Sequence, residues 1–106
     1  MPNKDEILDY LRSLKPELQE IGINKIGLFG SYAKGTNDIA SDIDITIESN
    51  ADVIIKKTGS GINALMFLDD LRQNIQKKFK ISVDLCDTAT MSKEKKDKIL
   101  AGVIYV

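Results

Sequence analysis

The stretch that most restricts the fold is "DIDITIE", residues 42 to 48, in which isoleucine takes every second place. A period of two belongs to a β-strand, and β-branched side chains suit its pleated surface. Ile43, Ile45 and Ile47 must therefore share one face, while Asp42, Asp44, Thr46 and Glu48 leave from the other. An isoleucine face has to be covered by a second layer, so this strand implies a sheet with helices or another sheet packed on it. The opposite face sets a second condition. Asp42 and Asp44 stand two residues apart on the same side of the strand, where like charges repel. Something of opposite charge belongs between them.

The rest of the chain supplies the covering layer. Ile7, Leu11, Leu14, Leu18 and Ile21 recur at helical spacing between residues 4 and 21, with Asn3 and Glu6 placed as a capping box and Gly22 as the stop. Pro16 lacks a backbone donor, which predicts a kink or a second helix starting near Lys15. "KIGLFG", 25 to 30, reads as a strand, 31 to 36 as a helical turn, and "TNDIAS" as a polar loop. Residues 49 to 61 give no clear period; "VII" at 53 to 55 fits a short strand or a packed loop, and "TGSG" a flexible turn. A helix is predicted over 62 to 78, with Ile62, Leu65, Leu68, Leu71, Arg72 and Ile75 on one face. "KISVDLC", 80 to 86, is a further strand. Ser92 caps a last helix running to Ala101, Gly102 ends it, and "VIYV" reads as a short terminal strand. The outline is α/β in the α+β sense, with three or four strands in a small mixed sheet and about three helices, mainly on one face.

Composition narrows the chemistry. The 106 residues suit one domain, 1–106, and an apolar fraction of 42% suits one modest core. No apolar run reaches the ~18 residues that would span a bilayer, and the charged start "MPNKDEILDY" is unlike a signal peptide. The lone Cys86 allows no internal disulfide, so a reducing, cytoplasmic setting is expected. There is no histidine, which rules out serine–histidine triads, histidine bases and imidazole-built zinc sites. A net charge of −1 argues against a broad nucleic-acid-binding face. Catalysis, if present, must run on carboxylates, hydroxyls, lysines and backbone.

The carboxylates form a pattern. Asp84 lies on a second predicted strand; if that strand neighbours the first, three carboxylates converge. Such a cluster is self-repelling until a cation neutralises it, and an all-oxygen donor set favours Mg²⁺ or Mn²⁺. Upstream, Gly30-Ser31 ends a strand and enters a helical turn, where free backbone N–H groups and a hydroxyl attract phosphate. Phosphoryl or nucleotidyl transfer from a nucleoside triphosphate needs both parts. The segment is no P-loop: after Gly35 come Thr36 and Asn37 rather than Lys and Ser or Thr.

"GLFGSYAKGTNDIASDIDITIE" resembles the signature of the polymerase-β-like nucleotidyltransferase superfamily: Gly-Ser, ten residues, Asp-x-Asp, and a later strand aspartate. Length and layout resemble the minimal nucleotidyltransferase (MNT) domains over nearly the whole chain. The resemblance implies a nucleotidyltransferase fold in which Asp42 and Asp44 bind metal. Asp84 would ligate the catalytic metal and help deprotonate an acceptor hydroxyl. Gly30 and Ser31 would hold the triphosphate; Lys34, where the family has Arg or Lys, and Ser41 join the expected nucleotide-binding set. Two Mg²⁺ ions and ATP are the implied cofactor and substrate. The implied partner is a HEPN ribonuclease toxin encoded nearby, silenced by AMP transfer to a tyrosine; an oligomer is possible on this reading. Two alternatives stay open: an antitoxin acting by binding and occlusion, and transfer to a small molecule such as an antibiotic. By period two, Asp87 falls on the face opposite Asp84. Cys86 and Tyr32 are expected to pack, Glu48 to be a solvated strand end, and the lysines from 93 to 98 to form a solvated helix face.

Overall fold

The computed structural model describes residues 2–106. In chain order it runs α1 (Lys4–Ile21), β1 (Ile23–Phe29), α2 (Gly30–Lys34), β2 (Ile43–Ser49), α3 (Ala51–Thr58), α4 (Gly61–Phe79), β3 (Val83–Asp87), a 3₁₀ turn (Thr88–Thr90), α5 (Lys93–Leu100) and β4 (Ile104–Tyr105). The four strands form one mixed sheet in the order β3-β2-β1-β4. The alternating strand β2 lies inside it, antiparallel to β1 and parallel to β3. A parallel pair needs a long crossover, and α3 with α4 provides it.

The isoleucine face of β2 is the centre of the core. Ile43, Ile45 and Ile47 are all buried, as are their β1 neighbours Ile26 and Leu28. Against them pack Ile7, Leu8, Leu11 and Leu18 of α1, Ile54 of α3, and Ala64, Leu71 and Ile75 of α4. Each fully buried Leu or Ile contributes roughly 1.5–3 kcal/mol. Asn3 caps α1 through a 2.8 Å bond accepted from the Glu6 N–H, and Gly22 ends it at φ +110°.

Several expectations need correction. No second helix starts near Lys15: α1 continues as one helix through Pro16, which lies on its exposed side. Water can satisfy the carbonyl that Pro16 leaves without a donor. Residues 51 to 58 are neither strand nor loop but helix α3, started by Asn50, whose side chain accepts from the Val53 N–H. One buried isoleucine, Ile54, holds this short helix down, so no helical stripe shows in the sequence. The helices thus number five rather than about three. The face predicted for α4 is also rotated: Ile62 and Leu65 are exposed, and the chain buries Ala64, Leu71 and Ile75. Strand β1 starts two residues earlier than predicted and β3 three residues later.

Candidate active site

Sheet register assembles the carboxylates. Asp44 of β2 is the direct partner of Asp84 across the parallel β2–β3 ladder. Neighbouring strands lie ~4.8 Å apart, so the two side chains rise from adjacent positions on one face. Asp42 immediately precedes β2, two residues from Asp44. Asp84 and Asp42 are exposed, whereas Asp44 is half-buried between them. Burial pushes the Asp44 carboxyl above the usual range, and the charges of Asp84 and then Asp42 push it further. The repulsion foreseen from the sequence is therefore centred on Asp44.

The Gly-Ser turn meets this centre directly. Gly30 has φ +72°, a left-handed conformation that favours glycine. A Cβ added there would overlap the Asp44 carboxylate and come within 3.2 Å of the Asp44 Cβ. The backbone that opens α2 is thus laid against the central carboxylate, with no room for a side chain between. Phe29 occupies the cap position of α2 in extended conformation and offers no side-chain capping bond. The first N–H groups of this short turn are left for another acceptor. Ser31 follows Gly30 in the same turn, and its carbonyl accepts from the N–H groups of Gly35 and Thr36, which closes the turn.

Lys34 is exposed in the last residue of α2, and its Cε would lie 4.0 Å from a Cβ built on Gly102. Its stem therefore runs past the C-terminal segment. The Ser41 hydroxyl is engaged locally. It accepts from the Asp38 N–H at 2.9 Å and lies 3.3 Å from Asp38 Oδ1, while the Ala40 N–H donates to Oδ1 at 2.9 Å. Ser41 thus fastens the loop that delivers Asp42 to the site.

The residues set aside behave as neighbours or supports. Asp87 accepts from the Ser49 N–H and hydroxyl and from the Ala89 N–H, so it ties β2 to the 3₁₀ turn. Glu48 lies 3.7 Å from Lys25. Tyr32 is buried, as a packing residue should be. Cys86 is half-buried beside Thr46; burial raises its thiol pKa, Asp84 and Asp44 raise it further, and Lys95 opposes them. The thiol is held protonated and is a poor nucleophile. Sequence reasoning placed Thr46 on the carboxylate face but missed its burial: its Oγ1 is enclosed without a partner. Neighbouring Gly27 and Cys86 in the ladder are the only signal that could have shown it.

Among the described residues, no group of three or more Cys, Asp or Glu side chains is gathered into a metal cage. Magnesium does not require one, because it takes one or two carboxylates and fills its shell with water and phosphate oxygens. The donors are all oxygen, and the strained charge on Asp44 is one that a cation would relieve. The residues fit such an ion. No helix among the described residues is long and apolar enough to cross a membrane.

Comparison with known proteins agrees with this geometry. The profile of the nucleotidyltransferase domain family matches residues 5–105. The protein adenylyltransferase MntA of Thermococcus cleftensis is 28% identical over 103 residues, which cover 96% of this chain and 94% of that one. A solved structure described as a minimal nucleotidyltransferase superposes with a TM-score of 0.70 over 97% of this chain and 95% of that chain, at 14% identity. A toxin–antitoxin crystal structure with AMP-PNP gives a TM-score of 0.54 at 30% identity, covering 86% of this chain and 61% of that chain.

Proposed function

The chain belongs to the nucleotidyltransferase domain family, and on that premise we propose that it transfers AMP from ATP to a protein hydroxyl, a tyrosine of a HEPN-type toxin. The observation that carries this reading is the contact of the Gly30 backbone with the Asp44 carboxylate, with Asp84 opposite in register. Triphosphate and carboxylates would then share one small patch. The name of the MntA relative supports a protein acceptor, and the toxin–antitoxin structure with AMP-PNP supports an adenine nucleotide and a toxin partner.

In this reading the N–H groups of Gly30 and Ser31 and the Ser31 hydroxyl hold the triphosphate, with Lys34 as a nearby positive charge. Ser41 keeps the Asp42 loop in place. Magnesium ions, held by Asp42 and Asp44 with Asp84 joining the catalytic one, supply charge neutralisation on the phosphates when bound. The tyrosine oxygen attacks the α-phosphorus, a new P–O bond forms, the α–β bridge breaks and pyrophosphate leaves. Asp84, the more exposed of the register pair, accepts the hydroxyl proton.

Purified chain, Mg²⁺, labelled ATP and the toxin encoded by the neighbouring gene provide the test. The toxin gains one or more AMP units by intact mass, and Asp42→Asn abolishes the gain while its melting curve keeps a single folded transition. A tight complex without any gain would replace transfer by occlusion. Transfer to a small hydroxyl compound alone would remove the toxin from the reading.

A further inference from the structure

The loop that carries Asp42 displays an isoleucine for which the fold has no use. Ile39 is 97% exposed, the most exposed large apolar side chain in the described structure. It does not sit on a slack segment. Asp38 accepts from the Ala40 N–H, the Ser41 hydroxyl accepts from the Asp38 N–H, and the Ser41 N–H donates to the Asp38 carbonyl at 3.1 Å. Four consecutive residues are thus bound into one closed turn with Ile39 at its tip.

Position gives this tip its meaning. Three residues separate Ile39 from Asp42, so the chain between them spans at most about 11 Å. Ile39 also borders a cleft of about 390 Å³ whose other walls include the buried Tyr32 and the half-buried Phe79 and Ile81. Phe79 ends α4 and Ile81 leads into β3, two residues before Val83 and three before Asp84. The cleft therefore lies at the end of the sheet where β2 and β3 begin, which is the end that carries the aspartates. An acceptor that brings a hydroxyl to Asp84 and Asp42 arrives at this end. A protein acceptor offers an extended apolar surface around its hydroxyl; a small polar acceptor does not.

We infer that Ile39, together with the cleft walled by Tyr32, Phe79 and Ile81, is the contact that selects the protein acceptor, by receiving an apolar side chain adjacent to the modified hydroxyl. This rests on the proposed transfer to a protein. Ile39 acts in recognition and not in the transfer step, so it governs the KM of the acceptor and leaves the KM of ATP alone. Loss of a buried apolar contact at an interface centre weakens binding about ten- to a hundredfold.

The experiment measures initial rates of AMP transfer to the toxin for the wild type, Ile39→Ser and Ile39→Leu, varying toxin and ATP separately. Expected are an acceptor KM raised at least tenfold in Ile39→Ser, an unchanged ATP KM, and near wild-type behaviour in Ile39→Leu. Ile39 buries nothing, so both variants melt with the wild type, which separates recognition from folding. An unchanged acceptor KM in Ile39→Ser, with the wild type active, overturns the inference alone. A parallel rise in the ATP KM also overturns it and makes Ile39 part of the nucleotide site. If the wild type labels no protein, or labels RNA instead, the underlying transfer reading falls and this inference with it.

Discussion

Two glycines with the same backbone conformation offer a test that separates folding from chemistry. Gly30 has φ +72° and Gly35 φ +74°, and each lies at one end of α2. Alanine in either place forces an L-residue into the left-handed region, at a cost of about 1–2 kcal/mol. For a domain of this size each kcal/mol lowers Tm by roughly 4–8 °C. There the likeness stops. A Cβ on Gly35 meets nothing within 4 Å, whereas one on Gly30 overlaps the Asp44 carboxylate. That carboxylate is the free end of a side chain, so it can turn aside at little further cost in stability. It cannot turn aside and stay in place for catalysis, where a shift of ~1 Å costs about a hundredfold in rate. Gly30→Ala and Gly35→Ala should therefore melt within about 1 kcal/mol of each other. AMP transfer should fall about a hundredfold or more only in Gly30→Ala. Thermal melts and single-turnover transfer, run well below both transitions, read the two quantities. Equal rates in the two variants would refute the argument that the turn and Asp44 share one spot, as would full activity in Gly30→Ala.

Asp44 has a raised folded-state pKa, so its contribution to stability is fully present below the unfolded value of 3.8 and is lost as pH rises through the folded value. Metal-free wild type should accordingly gain on Asp44→Asn as pH falls from 7 toward 4, with Asp44→Asn the more stable at neutral pH; melts of both across that range check the sign, and a flat difference would count against it. Asp87 accepts three hydrogen bonds that join β2 to the turn after β3. Asp87→Ala should cost about 1.5–3 kcal/mol by urea unfolding, while transfer at low temperature persists; an inactive but fully stable variant would instead make Asp87 part of the site.

Legibility from the sequence followed the strength of the local signal. β2 could be read because its alternation is strict, and α1 because its stripe, cap and stop agree. The α3 segment could not, because β-branched Val53, Ile54 and Ile55 favour a strand while the deciding contact, Ile54 under the core, is tertiary. The rotation of α4 has the same origin. Ile62 and Leu65 are apolar enough to be taken for core, yet small Ala64 turns inward where α4 lies close to its neighbours. Terminal strand β4 was readable as a strand, but its place at the sheet edge beside β1 was not.

By itself the sequence determined the chemical alphabet of this protein: no histidine, one cysteine, a Gly-Ser turn, and two aspartates that strand periodicity must put on one face. It also determined the core of the sheet, since three alternating isoleucines have only one way to be buried. Tertiary structure alone decided that β3 lies parallel beside β2 in the register that sets Asp84 against Asp44, because strand order and register depend on contacts between residues about 40 positions apart. It alone decided that the Gly30 backbone touches Asp44, which changes a turn and a strand into one site. Local patterns fix which way a side chain faces; only packing fixes what it faces.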